Sequence, residues 1–402
     1  MPKWKRLPLG TVADLCLGKM LDQNKNRGEP LPYLANLNVR WGEFVLDDLR
    51  TMRFEAHELE RYGLKFGDIV MCEGGEPGRC AIWKDQIPGV MIQKAIHRIR
   101  PKALLDYRFL YYNLLHIGQS KEFDQYFTGA TIKHLPGEKL AKVEVDLPPL
   151  PSQERIAGIL SAYDDLIENS QRRIKILEAM ARALYREWFV AFRFPGHESV
   201  PRVPSPLGEI PEGWEVKKLG DVAEEIRRNV PKGQLYDPKP YVGLEHIPRR
   251  SLALDDWEMT TDLGSNKLEF RKGEVLFGKI RPYFHKVSVA PFDGLCSADT
   301  IVIQSRRPEH YAVVVACVSS DAFVAEATAT SNGAKMPRAN WDVLKKFPVV
   351  IPCGDVAIRF AALVEDVLAQ QQTLIFQIHN LRRTRDLLLP RLLSGQIDME
   401  VA

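Results

Sequence analysis

Two stretches of the chain carry apolar residues at alternating steps of four and three, the seam spacing of a long helix that packs on another helix. In the first, Ile156, Leu160, Tyr163, Ile167, Ser170, Ile174, Leu177, Ala181, Leu184 and Trp188 keep the spacing, with Ser170 as the polar exception. In the second, Phe360, Val364, Val367, Gln371, Leu374, Ile378, Leu381, Arg385, Leu388 and Leu392 repeat it, interrupted by Gln371 and Arg385. At 1.5 Å per residue a helix of about 36 residues is roughly 54 Å long, and such a rod cannot bury its stripe alone. An intramolecular antiparallel coiled coil satisfies both stripes most simply; packing of each helix on its own globular unit, or on another copy of the chain, is the alternative. Ser152 is the expected N-cap of the first helix and Pro195-Gly196 its close, while Pro390 is expected to end or kink the second.

The helices are the clearest part of a larger internal repeat. Trp4, Leu9, Gly10, Val12 and Ala13 match Trp214, Leu219, Gly220, Val222 and Ala223. Pro32-Tyr33-Leu34 matches Pro240-Tyr241-Val242, and the turn-then-strand signal Gly67-Asp68-Ile69-Val70-Met71 matches Gly273-Glu274-Val275-Leu276-Phe277. Gly129-Ala130 then matches Gly333-Ala334, and Leu140, Leu147 and Pro148 match Leu344, Ile351 and Pro352. The fixed order of these weak identities argues against chance. Strand-like runs such as Ala81-Ile82-Trp83 and Thr300 to Gln304 mix with short helical stretches in each half, so the predicted class is α+β. The expected plan is a globular domain over 1–150, a spacer helix over 151–190, a proline-rich and glycine-rich linker over 191–213, a second globular domain over 214–352 and a second spacer helix over 353–402. The architecture expected is thus two similar α/β domains separated by two long antiparallel helices, with a pseudo-two-fold internal repeat.

A length of 402 residues agrees with two domains plus connectors. Hydrophobic residues make up 45% and charged residues 27%, yet no apolar run reaches the roughly 20 residues that span a bilayer. The first residues do not lead into a signal-like apolar stretch, so a cytoplasmic location is expected. Six scattered cysteines form no C-x-x-C pair and no zinc-finger spacing, which points to reduced, mostly buried thiols. A net charge of +3 makes any nucleic-acid surface a local one.

Catalytic patterns fail one by one. Gly273 to Lys279 has the frame of a phosphate loop, but Ile280 stands where Ser or Thr must hold magnesium and Pro282 opposes a following helix, so a strand and turn is the better reading. Asp146-Leu147-Pro148-Pro149 has an extra Leu and no aromatic compared with the catalytic loop of amino-methyltransferases. No glycine-rich dinucleotide fingerprint, zinc-protease helix or serine elbow occurs, and the nine histidines show no metal-ligand spacing. No catalytic residue and no metal ligand is assigned. What remains are loops that mix basic, amide and aromatic side chains, the types that neutralise phosphates and read base edges. In the first half the candidates are Lys19, Asn24, Lys25, Arg27, Asn38, Arg40, Arg79, Lys133 and His134. In the second they are Arg227, Arg228, Lys232, His246, Arg249, Lys279, Arg281, Tyr283, Lys286, Lys335 and Arg338. For any one of them a solvated surface charge is the bland alternative.

The order of domain, long helix, domain, long helix resembles the specificity subunits of type I restriction-modification systems. The segment Leu147-Pro148-Pro149-Leu150-Pro151-Ser152-Gln153-Glu154-Arg155-Ile156 looks like the family's entry to its first conserved helix, and Ile210-Pro211-Glu212-Gly213-Trp214-Glu215 like the opening of its second target recognition domain. Arg382, Arg385 through Pro390 and Leu393-Ser394-Gly395 resemble its last helix. The resemblance implies that each recognition domain reads one half of a bipartite DNA site. It further implies that the paired helices set the gap and dock methyltransferase subunits, two of them expected, and that restriction subunits complete the complex. S-adenosylmethionine, ATP and magnesium would then sit on those partners, and this chain would carry no cofactor and meet no membrane. Pro352-Cys353-Gly354-Asp355 departs from the first copy's signal, and Ala357 stands where the first copy has Gln153. Two rivals stay open: a coiled-coil adaptor without DNA readout, and a DNA methyltransferase with unrecognised motifs.

Overall fold

The computed structural model describes residues 4–22, 26–352 and 354–397. By contact the chain divides into two compact units, Met1–Asp165 with Leu381–Ala402, and Leu166–Asn380. Each unit contains a stretch of both long helices, Leu150–Tyr185 and Gly354–Leu393.

In the first unit a four-stranded antiparallel sheet has the order Ala13–Leu17, Ile96–Pro101, Ile69–Cys72, Cys80–Ile82. The second unit has the same order in Ala223–Ile226, Thr300–Ser305, Val275–Gly278, Val287–Val289. The glycine-acid turns therefore do feed buried central strands, Ile69–Cys72 and Val275–Gly278, and the phosphate-loop frame is a strand. A second sheet in each unit pairs one strand parallel to another, Tyr33 opposite Met91 in the first and Tyr241 opposite Leu295 in the second. A short antiparallel pair completes the correspondence: Lys5–Pro8 with Glu144–Leu147, and Glu215–Lys218 with Pro348–Ile351. The repeat is thus structural, and the class is α+β. The segment 191–213 contains a hairpin, Arg202–Ser205 with Gly208–Pro211, and its Phe192 and Phe194 pack on Trp214.

The stripe positions of both helices are buried or half-buried. In the first unit Ile156 and Leu160 share a core with Leu389 and Leu392. In the second, Tyr185, Trp188 and Phe189 surround Phe360, with ring centroids 4.5 Å apart for Phe189. Within each unit one helix therefore runs antiparallel to the other.

Two expectations about helix ends need correction. The first long helix begins at Leu150, so Ser152 lies inside it and is not its cap. The start is tied down instead by Gln153, which is 1% exposed: its carbonyl accepts from the Asp106 amide at 3.0 Å, and its amide donates to Leu104 and Pro148 carbonyls. The first helix ends in a π-turn, Arg186–Val190, and the second runs through Pro390 to Leu393.

Buried histidines make the fold sensitive to acid. Burial is the main cause that lowers the pKa of His97, whose Nε2 lies 2.8 Å from the Leu135 carbonyl, and also that of His285, 2.9 Å from the Ser319 carbonyl. A depressed histidine contributes stability that is complete above its unfolded pKa of about 6.5 and is lost as pH falls below it toward the folded value. Thermal unfolding midpoints are therefore expected to hold from pH 8 to 7 and to fall between pH 6.5 and 5, before most carboxylates titrate. A midpoint constant down to pH 5 would contradict this.

Candidate nucleic-acid interface

The positions expected to touch DNA separate sharply by burial. Lys19 is 4% exposed; its ammonium meets the Glu58 carboxylate and the Arg53 carbonyl and lies 5.0 Å from the Phe54 ring centre. Asn38 is buried, accepts from the Ala35 amide and donates to the Val45 carbonyl. Arg40 closes its own turn by donating to the Leu37 and Val39 carbonyls, both at 2.9 Å. Arg79 donates to the Asn36 carbonyl and pairs with Glu76 at 2.7 Å. Arg228 forms a two-pronged pair with Glu274, and the half-buried Lys286 donates to the Leu244 carbonyl. Buried Lys19 and Asn38 are corrected from DNA contacts to internal ties, and the half-buried Arg40, Arg79, Arg228 and Lys286 spend donors on internal partners, because a basic or amide side chain inside a loop is also the cheapest way to satisfy buried carbonyls. His246 is likewise tied internally, its Nδ1 accepting a hydrogen bond from the Gly243 amide at 2.9 Å. Asn24 and Lys25 lie outside the described residues.

Of the remainder, Arg27, Lys133, Arg227, Lys232, Arg249, Tyr283, Lys335 and Arg338 are exposed, while His134, Lys279 and Arg281 are half-buried. Lys133 and His134 belong to a narrow hairpin closed by reciprocal backbone bonds, Thr128 amide to His134 carbonyl at 2.8 Å and the reverse at 2.9 Å. The second unit builds the same hairpin between Asn332 and Arg338, with bonds of 3.1 and 2.8 Å. Both turn through a glycine at positive φ, Gly129 at 91° and Gly333 at 110°. A Cβ on Gly129 would stand 2.2 Å from the Ile132 carbonyl oxygen, so only glycine serves there. Each hairpin base bridges the loop after the central strand, Gly74 with His134 and Ile280 with Arg338.

That neighbouring loop differs between the units. The first unit places glycines at its left-handed positions, Gly75 and Gly78, whereas the second places Arg281 (φ 51°) and His285 (φ 52°) in that conformation. Side chains held left-handed cost roughly 1–3 kcal/mol each and concentrate where a loop is shaped for function. Arg281 donates to the Lys335 carbonyl, and its own amide donates to the Pro337 carbonyl at 2.8 Å, so this turn holds up the hairpin. Tyr283 stands exposed beside it, and Arg249 stacks its guanidinium 4.0 Å from the Phe284 ring centre.

Next to the hairpin base of the second unit lies a cleft of about 270 Å³ bordered by Arg227, Lys279, Arg338 and Asn340, with Glu225 at its edge. Glu225 pairs with Arg227 at 2.7 Å and approaches Lys279 at 4.0 Å, and Arg338 lies 3.5 Å from Asp299. In the first unit the positions of Lys279 and Arg338 are held by Glu73 and His134, 3.8 Å apart. The two surfaces share a scaffold and differ in charge, which suits two readers of different base patterns. Lys232 is exposed, and its amide donates to the Asn266 side chain. Glu55, His57 and Glu58 come together in one turn, but Glu58 is occupied by Lys19 and the Glu55 amide. Sequence reasoning missed the apolar tips of the hairpins, Ile132 and Met336; the signal available was an apolar residue repeated 204 positions apart inside a polar, glycine-bearing loop.

Comparison with known proteins bears on what these surfaces serve. The family model for the type I restriction modification DNA specificity domain matches residues 1–179. The MjaIX specificity subunit of a type I restriction enzyme from Methanocaldococcus jannaschii is 27% identical over 348 residues, 83% of this chain and 78% of that protein. The EcoDI specificity subunit from Escherichia coli is 26% identical over 299 residues, 69% of this chain and 66% of that protein. The crystal structure of a type I restriction-modification S subunit from M. genitalium shares the fold with a TM-score of 0.54 at 15% identity, covering 97% of this chain and 96% of that one. With a specificity-domain model matching its start, specificity subunits aligned along its length and the fold of an S subunit, the chain is similar to the type I restriction-modification specificity subunits.

Proposed function

We infer that this chain is the DNA-recognition subunit of a type I restriction-modification complex, each globular part reading one half of a bipartite site. The observation that carries the reading is the duplicated hairpin-and-turn surface, the same backbone twice with different charges. Exposed Lys133, Arg227, Arg249, Lys335 and Arg338 supply phosphate contacts, which position the chain without specifying sequence. Amide and aromatic side chains beside them, such as Asn340 and Tyr283, supply groove contacts.

The chain works without chemistry of its own. Methyl transfer belongs to modification subunits, two per chain, that bring S-adenosylmethionine; restriction subunits bring ATP-driven cleavage with magnesium. The long helices set the gap between half-sites and dock the modification subunits, and exposed Leu166, Ile176, Met180, Ile358 and Leu363 are the apolar residues offered for docking. No single helix among the described residues is long and apolar enough to cross a membrane, and the site of action is the cytoplasm, where chromosomal and incoming DNA are met.

The test is competition binding with the chain assembled on its methyltransferase subunits. A duplex carrying the methylated site should outcompete a scrambled duplex by at least 10³-fold at physiological salt, the usual margin of specific over non-specific binding. Equal competition by both duplexes would favour an adaptor that reads no sequence.

A further inference from the structure

The hairpin tips carry something that folding does not require. Ile132 is 67% exposed and Met336 is 44% exposed, and the two occupy the same position of the duplicated loop, three residues after the left-handed glycine. A single exposed apolar side chain on a surface needs no explanation. Two at one equivalent position do, because the residues around them have diverged: Ala130-Thr131-Ile132-Lys133-His134 in one loop and Ala334-Lys335-Met336-Pro337-Arg338 in the other. The rest of each tip is exposed as well, so neither side chain serves a core.

Each apolar tip has basic neighbours, of which Lys133 lies 3.6 Å from Asp124 and Arg338 3.5 Å from Asp299. Lys133 follows Ile132 directly; Lys335 precedes Met336, and Arg338 stands at the base of the same hairpin. The hairpins are narrow, one reciprocal pair of backbone bonds wide, and their left-handed glycines set the turn. A thin projection with cations on its flanks and an unbranched or β-branched apolar side chain at its end is the form that enters a DNA groove and parts a base step, the flanking cations binding the phosphates on either side. Opening a step also lowers the later cost of extruding a base for chemistry.

We propose that Ile132 and Met336 are apolar wedges, each entering one half-site and partly unstacking a base-pair step there. The proposal rests on the DNA-recognition reading and adds to it the residues that deform the duplex. Because both side chains face solvent, Ile132→Ser and Met336→Ser leave folding intact, which a thermal unfolding scan checks.

The experiment uses the full chain assembled with its methyltransferase subunits and duplexes of the methylated site in which 2-aminopurine is walked through each half. Binding of the unaltered complex should raise fluorescence at one step in each half-site. Ile132→Ser should abolish the rise in one half and Met336→Ser in the other, each weakening site binding about tenfold equally at low and high salt, since no charge is removed. Lys133→Ala, by contrast, should lower the salt dependence by up to about one phosphate contact. A rise at the target adenine that survives both variants reports extrusion by the methyltransferase and is separate from the wedge. The proposal is overturned if both serine variants keep every fluorescence rise and full affinity. It is also overturned if replacing thymine by uracil in the half-site reproduces their loss, which would make the contact one to a methyl group. A complex that methylates DNA without any split motif would instead remove the recognition reading itself.

Discussion

Replacing Asp164 with alanine is expected to destabilise the unit of residues 1–165 and 381–402 by about 2–4 kcal/mol, the cost of leaving a buried arginine and a tyrosine hydroxyl without their shared acceptor. Asp164 accepts from the Tyr112 hydroxyl at 2.6 Å and from the Arg385 guanidinium, whose side chain is only 15% exposed. Burial, reinforced by the Asp164 charge, holds the Tyr112 hydroxyl far above its ordinary pKa, so it stays protonated and donates to Asp164. Arg385 interrupts the apolar stripe of its helix, and in the fold that interruption fixes the helix register: the guanidinium reaches Asp164 on the antiparallel neighbour and Asp386 at 2.8 Å on its own helix. The retained Asp386 pair keeps the loss below the full cost of an orphaned charge. At roughly 2–4 °C per kcal/mol for a unit of this size, its melting transition should fall by about 5–15 °C. Asp164→Leu combined with Arg385→Met and Tyr112→Phe should recover most of that loss, since an apolar replacement leaves nothing unpaired. A drop of under 2 °C in the alanine variant would show that the cluster does not hold the helices in register.

The second large effect is on DNA. Alanine at Arg227, Arg249, Lys335 and Arg338 together removes four exposed cations from the second unit. If each neutralises a phosphate, the slope of log affinity against log salt should fall by up to about 3.6, at roughly 0.9 per contact, and affinity near 0.15 M salt by on the order of 10²–10³-fold. Stability should fall mainly through Arg227, whose partner Glu225 has a side chain only 6% exposed and would keep Lys279 at 4.0 Å as its remaining cation; Lys335 and Arg338 are exposed and should cost little. The same replacement at Arg228, which Glu274 holds internally, should instead lower stability and leave the salt slope unchanged. An unchanged slope in the fourfold variant would place the DNA elsewhere.

Much of the plan was legible because it is periodic. The four-three stripes marked both long helices to within a few residues, and the ordered identities marked the repeat that the two equivalent sheets display. Helix ends were less legible: Gln153 secures the first helix through loop carbonyls distant in sequence, a contact that no local capping rule encodes, and the second helix tolerates Pro390 in its last turn. The surface was the least legible part. Lys19 and Arg228 have the same composition signal as Lys335 and Arg338, and only the fold reveals that Glu58 and Glu274 wait beside the first two. The hairpin tips were missed for the opposite reason, because a search for basic residues passes over Ile132 and Met336.

The most direct test is to co-express the chain with its methyltransferase subunits in a host free of adenine methylation and to map every modified adenine in the host DNA. Two short defined sequences separated by a fixed gap, methylated in both halves, is the result predicted for a chain with two readers. Methylation at an undivided motif, or none despite an active methyltransferase, would contradict it.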